Sequence, residues 1–194
     1  MSLVVVTPPE ALLTLDQAKA HLRVDGNDED EYLGGLIAAA QGTIDGPAGW
    51  LGRSLGMQTL ELRAPGFEGF TGGGLVLPCG PVIDVVSVGY VATGGLVTVL
   101  DPAAYSVDDD GALLAAAAGL RPSVQLRSDA VRVRYRAGYL PTAVNPPVST
   151  LPAPIRHAML VMVGLLYENR FGAADLQTNP TVASLLGPFR VWGR

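Results

Sequence analysis

One uncharged stretch near the C-terminus constrains the fold more than any other part of the chain. Residues 152–170 have the sequence PAPIRHAMLVMVGLLYENR, and the ten residues 158–167 carry no charge. Proline suits the first turn of a helix, where a backbone N–H would lack a partner anyway. A helix that is apolar on most sides must be buried on most sides. We therefore predict a central helix over residues 154–170, too short in its uncharged part for the roughly 20 residues of a membrane span.

Two further helices are predicted in the N-terminal part. Thr14 and Gln17 have the spacing of a capping box, which predicts a helix over residues 14–24. A second helix is predicted over residues 28–46, with Asp28 as its N-cap and Glu31 as the capping partner.

The acidic run at the start of this second helix has the alternation of a calcium-binding loop. Such a loop needs glycine at its sixth position and glutamate at its twelfth. Those positions hold Asp30 and Leu36, so the sequence excludes this kind of calcium site.

Between residues 57 and 139 the hydrophobic period changes to two, which predicts an inserted antiparallel β-rich part. Turn residues 93–95 and 108–111 each predict a hairpin. Residues 66–74 form a glycine-rich loop, and the prolines of residues 145–154 form a stiff linker into the central helix. The predicted class is α+β, with a helical core and an extended C-terminal tail. The predicted strands are 58–63, 75–77, 82–90, 96–100, 105–107, 112–114 and 131–136.

The last of these strands places three arginines on one face. Arg132, Arg134 and Arg136 alternate with two valines and a tyrosine. Three like charges at alternate positions repel one another unless acidic groups face them. A solvated outer face and a basic surface that meets an acidic neighbour or nucleic acid remain equally open interpretations.

Charge is distributed unevenly along the chain, which has a net charge of −5. Residues 1–50 carry −6, residues 51–120 carry −5 and residues 121–194 carry +6. Opposite charge in the two ends of a chain suggests self-complementarity between copies or one basic contact surface.

Length and composition limit the organisation of the chain. With 194 residues we predict a single domain over 1–180, followed by an apolar, aromatic docking tail over 181–194. The lone Cys79 excludes a disulfide framework, and the N-terminus lacks the basic start of a signal peptide.

Catalytic motifs are missing from the sequence. It contains no phosphate-binding loop, no nucleophile elbow and no cluster of cysteine or histidine, so we predict neither an enzyme nor a cofactor or metal site. Two other hypotheses stay open beside a structural role. One is a free DNA-binding or intracellular interaction module; the other is a small metal-dependent hydrolase that uses the aspartates of residues 108–110 with His157.

The order of short motifs along the chain resembles the gp6-like head–tail connector (neck adaptor) proteins of tailed bacteriophages and gene transfer agents. No single motif is specific, but the ordered set extends over nearly the whole chain. The glycine-rich loop of residues 66–74 departs from the family pattern. The matching stretches are residues 15–25, 28–30, 50–53, 77–82, 100–105, 131–139, 152–158, 167–170 and 185–192.

The resemblance implies a structural virion protein, made in the bacterial cytoplasm and located in the neck of the particle. It implies a homo-oligomeric ring, a dodecamer, that binds beneath the portal protein and extends the DNA channel. DNA would pass through the lumen without sequence-specific contact, and no membrane would be involved. The next neck or tail component, a stopper or a tail terminator, would bind the other side. The portal contact would be made by Leu185, Leu186, Pro188, Phe189, Arg190, Val191 and Trp192.

The uneven charge adds a prediction about contacts between subunits. Acidic residues at the start of the second helix are expected to meet basic residues of the next copy. The acidic set is Asp28, Glu29, Asp30 and Glu31. The basic set is Arg132, Arg134, Arg136, Arg156 and Arg170.

Overall fold

The computed structural model describes residues 1–67, 74–107, 112–115, 122–141, 149–172 and 175–192. It divides the chain into two compact units. The β unit comprises Met1–Pro9 and Met57–Tyr139, and the helical unit comprises Glu10–Gly56 and Leu140–Arg194. The predicted α+β class is confirmed. The single domain over 1–180 with a docking tail over 181–194 stays a prediction.

The β unit contains one large and one small antiparallel sheet. The large sheet has the strand order β1-β2-β8-β4-β5, and the small one has the order β3-β7-β6. The strands are β1 (Ser2–Thr7), β2 (Gln58–Ala64), β3 (Gly74–Val76), β4 (Val82–Val91), β5 (Val97–Val99), β6 (Tyr105–Val107), β7 (Ala112–Ala115) and β8 (Val131–Ala137).

Strand β8 lies at the centre of the large sheet and has the predicted alternation. Val131, Val133 and Tyr135 are fully buried, whereas the arginines between them are exposed. The Tyr135 hydroxyl donates a hydrogen bond of 2.5 Å to the Pro78 carbonyl, so its one polar atom is paired inside the core. This burial raises the pKa of Tyr135 far above its ordinary value.

The predicted strands are present, and both predicted hairpins join antiparallel neighbours, β4 with β5 and β6 with β7. Strand β1 is an addition that the sequence analysis missed; it pairs with β2 at the edge of the large sheet. Three predicted features lie partly or wholly outside the described residues. They are the loop of residues 66–74, the turn of residues 108–111 and the linker of residues 145–148.

Within its described residues, the helical unit has the helices α1 (Leu15–Leu22), α2 (Asp30–Ile44), α3 (Ala153–Glu168) and α4 (Pro180–Leu186), with a short 3-10 turn over Gly187–Phe189. Helix α3 corresponds to the predicted central helix and packs against the other three. Ile155, Ala158, Met159, Met162 and Val163 form its buried side. The helix is therefore central to the helical unit, while the β unit has a hydrophobic core of its own.

Of the two predicted N-caps in the N-terminal part, the structure confirms one and contradicts the other. The capping box of Thr14 and Gln17 is confirmed, with both reciprocal hydrogen bonds present. The prediction that Asp28 caps α2 is wrong, because the N-cap is Glu29 and no side chain caps this helix. Tertiary contacts replace the cap: the Glu29 carboxylate binds Arg170, and the next residue, Asp30, pairs with Lys19.

Candidate interaction surfaces

The arginine face of β8 is a strongly charged surface of the β unit. Because β8 lies between β2 and β4, each arginine has a cross-strand neighbour on both sides. Arg134 is opposite Glu61 of β2, and Arg136 is opposite Asp84 of β4. All three arginine side chains are nearly half exposed. The sheet therefore presents a row of cations with acidic residues set into it.

Each of the three arginines forms an ion pair within the chain. Arg134 Nη2 lies 2.9 Å from Glu61 Oε2, and Arg132 Nη2 lies 2.6 Å from Asp129 Oδ2. Arg136 is bidentate on Asp84, with an Nε to Oδ1 distance of 2.8 Å. These carboxylates relieve the repulsion that the sequence pattern implied.

The ion pairs change the acidity of the carboxylates. Burial raises the pKa of Glu61, but hydrogen bonds from Arg134 and Arg63 outweigh it, so the pKa lies below its ordinary value. A hydrogen bond from Arg136 lowers the pKa of Asp84. Hydrogen bonds from two arginines, with that of Arg127 the larger, lower the pKa of Asp129 to about 2. All three carboxylates are ionised at neutral pH, so they offset part of the positive charge of the five arginines that pair with them.

A second charged cluster joins α2 to α3 in the helical unit. Glu29 accepts hydrogen bonds of 2.5 Å from both the Tyr167 hydroxyl and Arg170 Nη2. The Arg170 guanidinium lies 4.8 Å from the ring centroids of both Tyr32 and Tyr167, within cation–π range. The hydrogen bonds, with that of Tyr167 the larger effect, lower the pKa of Glu29. This cluster fixes the N-terminal end of α2 beside the C-terminal end of α3.

The remaining predicted inter-subunit residues have different environments. Asp30 pairs with Lys19, whereas Asp28 and Glu31 are exposed and form no ion pair within the described part of the chain. Arg156 is half-buried and likewise has no carboxylate partner among the described residues. The chain therefore neutralises some of the predicted residues by itself and leaves others available.

The C-terminal segment packs on the helical unit. Val182 and Leu186 of α4 are fully buried, and α4 packs against α3. Beyond the helix, the Val191 N–H donates a hydrogen bond of 2.9 Å to the Leu51 carbonyl. Trp192 remains 71% exposed. The segment predicted to contact a portal is thus attached to its own chain and presents an aromatic side chain at its end.

An arginine of this segment lies over two indole rings. The Arg190 guanidinium carbon is 4.1 Å from the ring centroid of Trp192 and 5.5 Å from that of Trp50. The backbone N–H of Trp50 donates a hydrogen bond of 2.9 Å to the Thr43 carbonyl, which places this residue beside the C-terminal end of α2. We call these three residues the Trp–Arg–Trp stack. Its two rings are the only tryptophans of the chain.

The described residues contain no group of three metal-ligating side chains. His21 and His157 lie edge to face with ring centroids 6.5 Å apart, and both are exposed. The aspartates of residues 108–110, which the hydrolase hypothesis pairs with His157, lie outside the described residues. In the same described part, no helix has both the length and the apolar character needed to cross a membrane.

Comparisons with known proteins agree with the resemblance inferred from the sequence. Residues 12–63 match the family model of the phage gp6-like head-tail connector protein, which confirms the resemblance over that stretch. No curated protein matches the chain.

Solved structures share the fold over the whole chain. One is a chain from the neck of an empty gene transfer agent particle, computed with C6 symmetry; it has a TM-score of 0.69 and 22% identity over 100% of this chain and 97% of that one. A chain from the virion of a native gene transfer agent particle gives the same values. A chain from the neck of a native particle, computed with C12 symmetry, has a TM-score of 0.66 at the same identity and coverage.

Sequence analysis missed the partners of the predicted residues. Glu61 and Asp84 were not singled out, although a carboxylate at an alternating position of a neighbouring strand is the expected partner of an arginine row. Trp50 was also missed as a partner of Arg190. The sequence offered one hint of this contact: the chain has only two tryptophans, and one of them, Trp192, follows Arg190 by two positions.

Proposed function

We propose that this protein is a structural head–tail connector that forms a homo-oligomeric ring in the neck of a phage or gene transfer agent particle. The observation that carries the proposal is the shared fold over the entire chain with neck chains of gene transfer agent particles. The match of residues 12–63 to the connector family model supports it independently of the coordinates.

The symmetry of the similar neck structures favours a ring over a monomeric module. The related neck structures were computed with C6 and C12 symmetry, which is the symmetry that a closed ring of identical subunits provides. We propose twelve copies, stacked beneath the portal and enclosing the channel through which DNA passes. A wall of paired charges, such as the arginine face with Glu61 and Asp84, would let DNA slide without holding it.

The C-terminal segment is the proposed contact with the portal protein. The exposed Trp192 supports this, because tryptophan side chains contribute strongly to binding when a partner covers them. Replacing Trp192 with alanine should weaken portal binding by at least about tenfold. Binding of the purified portal to the variant, compared with a Leu126→Ala control at another exposed apolar residue, tests this contact.

Contacts between subunits by the predicted acidic and basic residues are a further part of the proposal. Glu29, Asp30 and the three arginines of β8 already have partners within the chain. If these residues also bind a neighbouring copy, the new ion pair must either form alongside the existing one within the chain or replace it. Asp28, Glu31 and Arg156 form no ion pair within the described residues, so pairing with a neighbour would break none there.

A deletion of the gene tests the proposed function directly. Cells that lack the protein should produce filled heads without attached tails, and supplying the chain in trans should restore complete particles. Normal numbers of tailed particles in the deletion strain would contradict a connector role. Non-enzymatic action is part of the same proposal.

A further inference from the structure

The helical unit carries unpaired charges of opposite sign at the two ends of α2. Asp28 and Glu31, with Asp25 close by in sequence, lie at its N-terminal end, and all three are exposed without an ion pair in the described part of the chain. The Trp–Arg–Trp stack lies at its C-terminal end, because Trp50 is hydrogen-bonded to Thr43. A helix of fifteen residues is about 22 Å long, so these groups cannot reach each other within one copy.

Arg190 is oriented by its aromatic neighbours but has no acidic partner among the described residues. Its guanidinium lies over the rings of Trp50 and Trp192, and no carboxylate in that part of the chain forms an ion pair with it. A stacked guanidinium still has N–H donors at its edge, in the fork geometry that binds a carboxylate through two hydrogen bonds. The stacking fixes the side chain beforehand, so little rotamer entropy is left to lose on binding.

We propose that the Trp–Arg–Trp stack of each copy binds the acidic start of α2, at Asp28 and Glu31, of the neighbouring copy. This inference rests on the proposed ring and specifies one of its contacts. Two different complementary surfaces at opposite ends of one helix define a head-to-tail contact, which closes into a ring when the rotation between copies allows it. Within the segment proposed for the portal, Arg190 faces the next subunit. Trp192 is 71% exposed, so it can contact Arg190 and still present side-chain area to the portal, as can the other apolar residues.

Charge complementarity selects a second copy as the occupant. The stack requires carboxylates that are free to pair, and Asp28 and Glu31, which form no ion pair within the described residues, are present in every copy and lie on the same unit. The acids also favour the positive N-terminal end of their own helix, which explains their presence but leaves their outer sides unpaired. A phosphate of DNA or a carboxylate of the portal could occupy the stack instead, and the experiment below separates these cases.

Two charge-reversed variants of the full chain test the contact. The first is Arg190→Glu, and the second is Asp28→Arg with Glu31→Arg. Each should assemble at least about tenfold more weakly than the natural protein, because a like-charged pair replaces an attractive one at every contact. Their equimolar mixture should recover assembly, since the reversed surfaces match each other in an alternating arrangement, and the recovered rings should contain only even numbers of subunits.

The controls keep a loss of folding apart from a loss of contact. Glu10→Arg with Asp16→Arg makes the same change of charge at exposed acids away from the proposed contact, and it should assemble normally. Far-ultraviolet circular dichroism of every variant checks that the helices are retained. Oligomer mass is measured in solution at low and high salt and, if isolated chains remain monomeric, as incorporation into particles.

The possible results lead to different conclusions. Normal assembly of the Asp28→Arg, Glu31→Arg variant would overturn the inference and leave the ring intact. Failure of the mixture, with both variants folded, would also overturn it and would direct Arg190 to the portal or to DNA. Absence of any oligomer of the natural protein, alone or in particles, would contradict the proposed function itself.

Discussion

Glu61 should stabilise the β unit through its two arginine partners. Its side chain is only 8% exposed, and it accepts hydrogen bonds of 2.8 Å from Arg63 and 2.9 Å from Arg134. Hydrogen bonds to charged groups contribute about 1.5–3 kcal/mol each when shielded from water. Both arginines are 39–45% exposed, which reduces the gain. We expect Glu61→Gln to lower the free energy of unfolding by about 1–2 kcal/mol near neutral pH.

The difference in unfolding free energy between the natural protein and Glu61→Gln should also change with pH in a defined direction. The folded-state pKa of Glu61 is lowered from an ordinary value of 4.5, so its contribution is present above that value. It is lost as the pH falls through the lowered folded-state pKa. The difference between the natural protein and Glu61→Gln should therefore be full near neutral pH and should shrink in acid.

Urea denaturation followed by circular dichroism measures both effects. Glu10→Gln is the matched control, because Glu10 is exposed and forms no ion pair within the described residues; it should change the unfolding free energy by less than about 0.5 kcal/mol. A Glu61→Gln protein as stable as this control at neutral pH, or a difference that grows in acid, would refute the reasoning.

Three further changes address the helical unit. Asp45→Ala should cost about 2–4 kcal/mol in urea denaturation, because the buried carboxylate accepts hydrogen bonds of 2.7 and 3.0 Å from the N–H groups of Leu55 and Gly56; Asp45→Asn, which keeps one acceptor oxygen, should cost less. Gly49→Ala should lower the melting temperature, since its Cβ would lie 2.4 Å from the backbone of α2; equal melting would contradict this geometry. Arg190→Ala should change the intrinsic fluorescence, because both tryptophans of the chain flank this guanidinium; an unchanged spectrum would be evidence against the stack.

Sequence patterns predicted the features that depend only on residues close together in the chain. Alternation in β8 depends only on which residues can be buried on one face, and its valines and tyrosine are buried as expected. The capping box at Thr14 involves groups three residues apart, so it too is present in the sequence. These features need no knowledge of the rest of the chain.

The same patterns could not predict contacts between residues far apart in the chain. Arg134 and Glu61 are 73 positions apart, and their pairing follows from the register between β8 and β2. The start of α2 was misplaced for a related reason. Glu29 is bound by Arg170, 141 positions away, and this contact takes the place of the local cap expected at Asp28.

In the C-terminal segment, too, the sequence indicated a local property but not the distant contacts. Its apolar, aromatic composition predicted docking but did not specify the surface. The hydrogen bond between Val191 and Leu51 and the stack around Arg190 attach it to the helical unit. The portal contact predicted for this segment stays a prediction.

Cryo-electron microscopy of the particle is the sharpest test of the proposed connector role. We expect this chain to occupy the neck as a closed ring of identical copies around the DNA channel, with both the β unit and the helical unit fitting each subunit density. Particles whose neck lacks this chain, or contains it in single copies without rotational symmetry, would exclude that role.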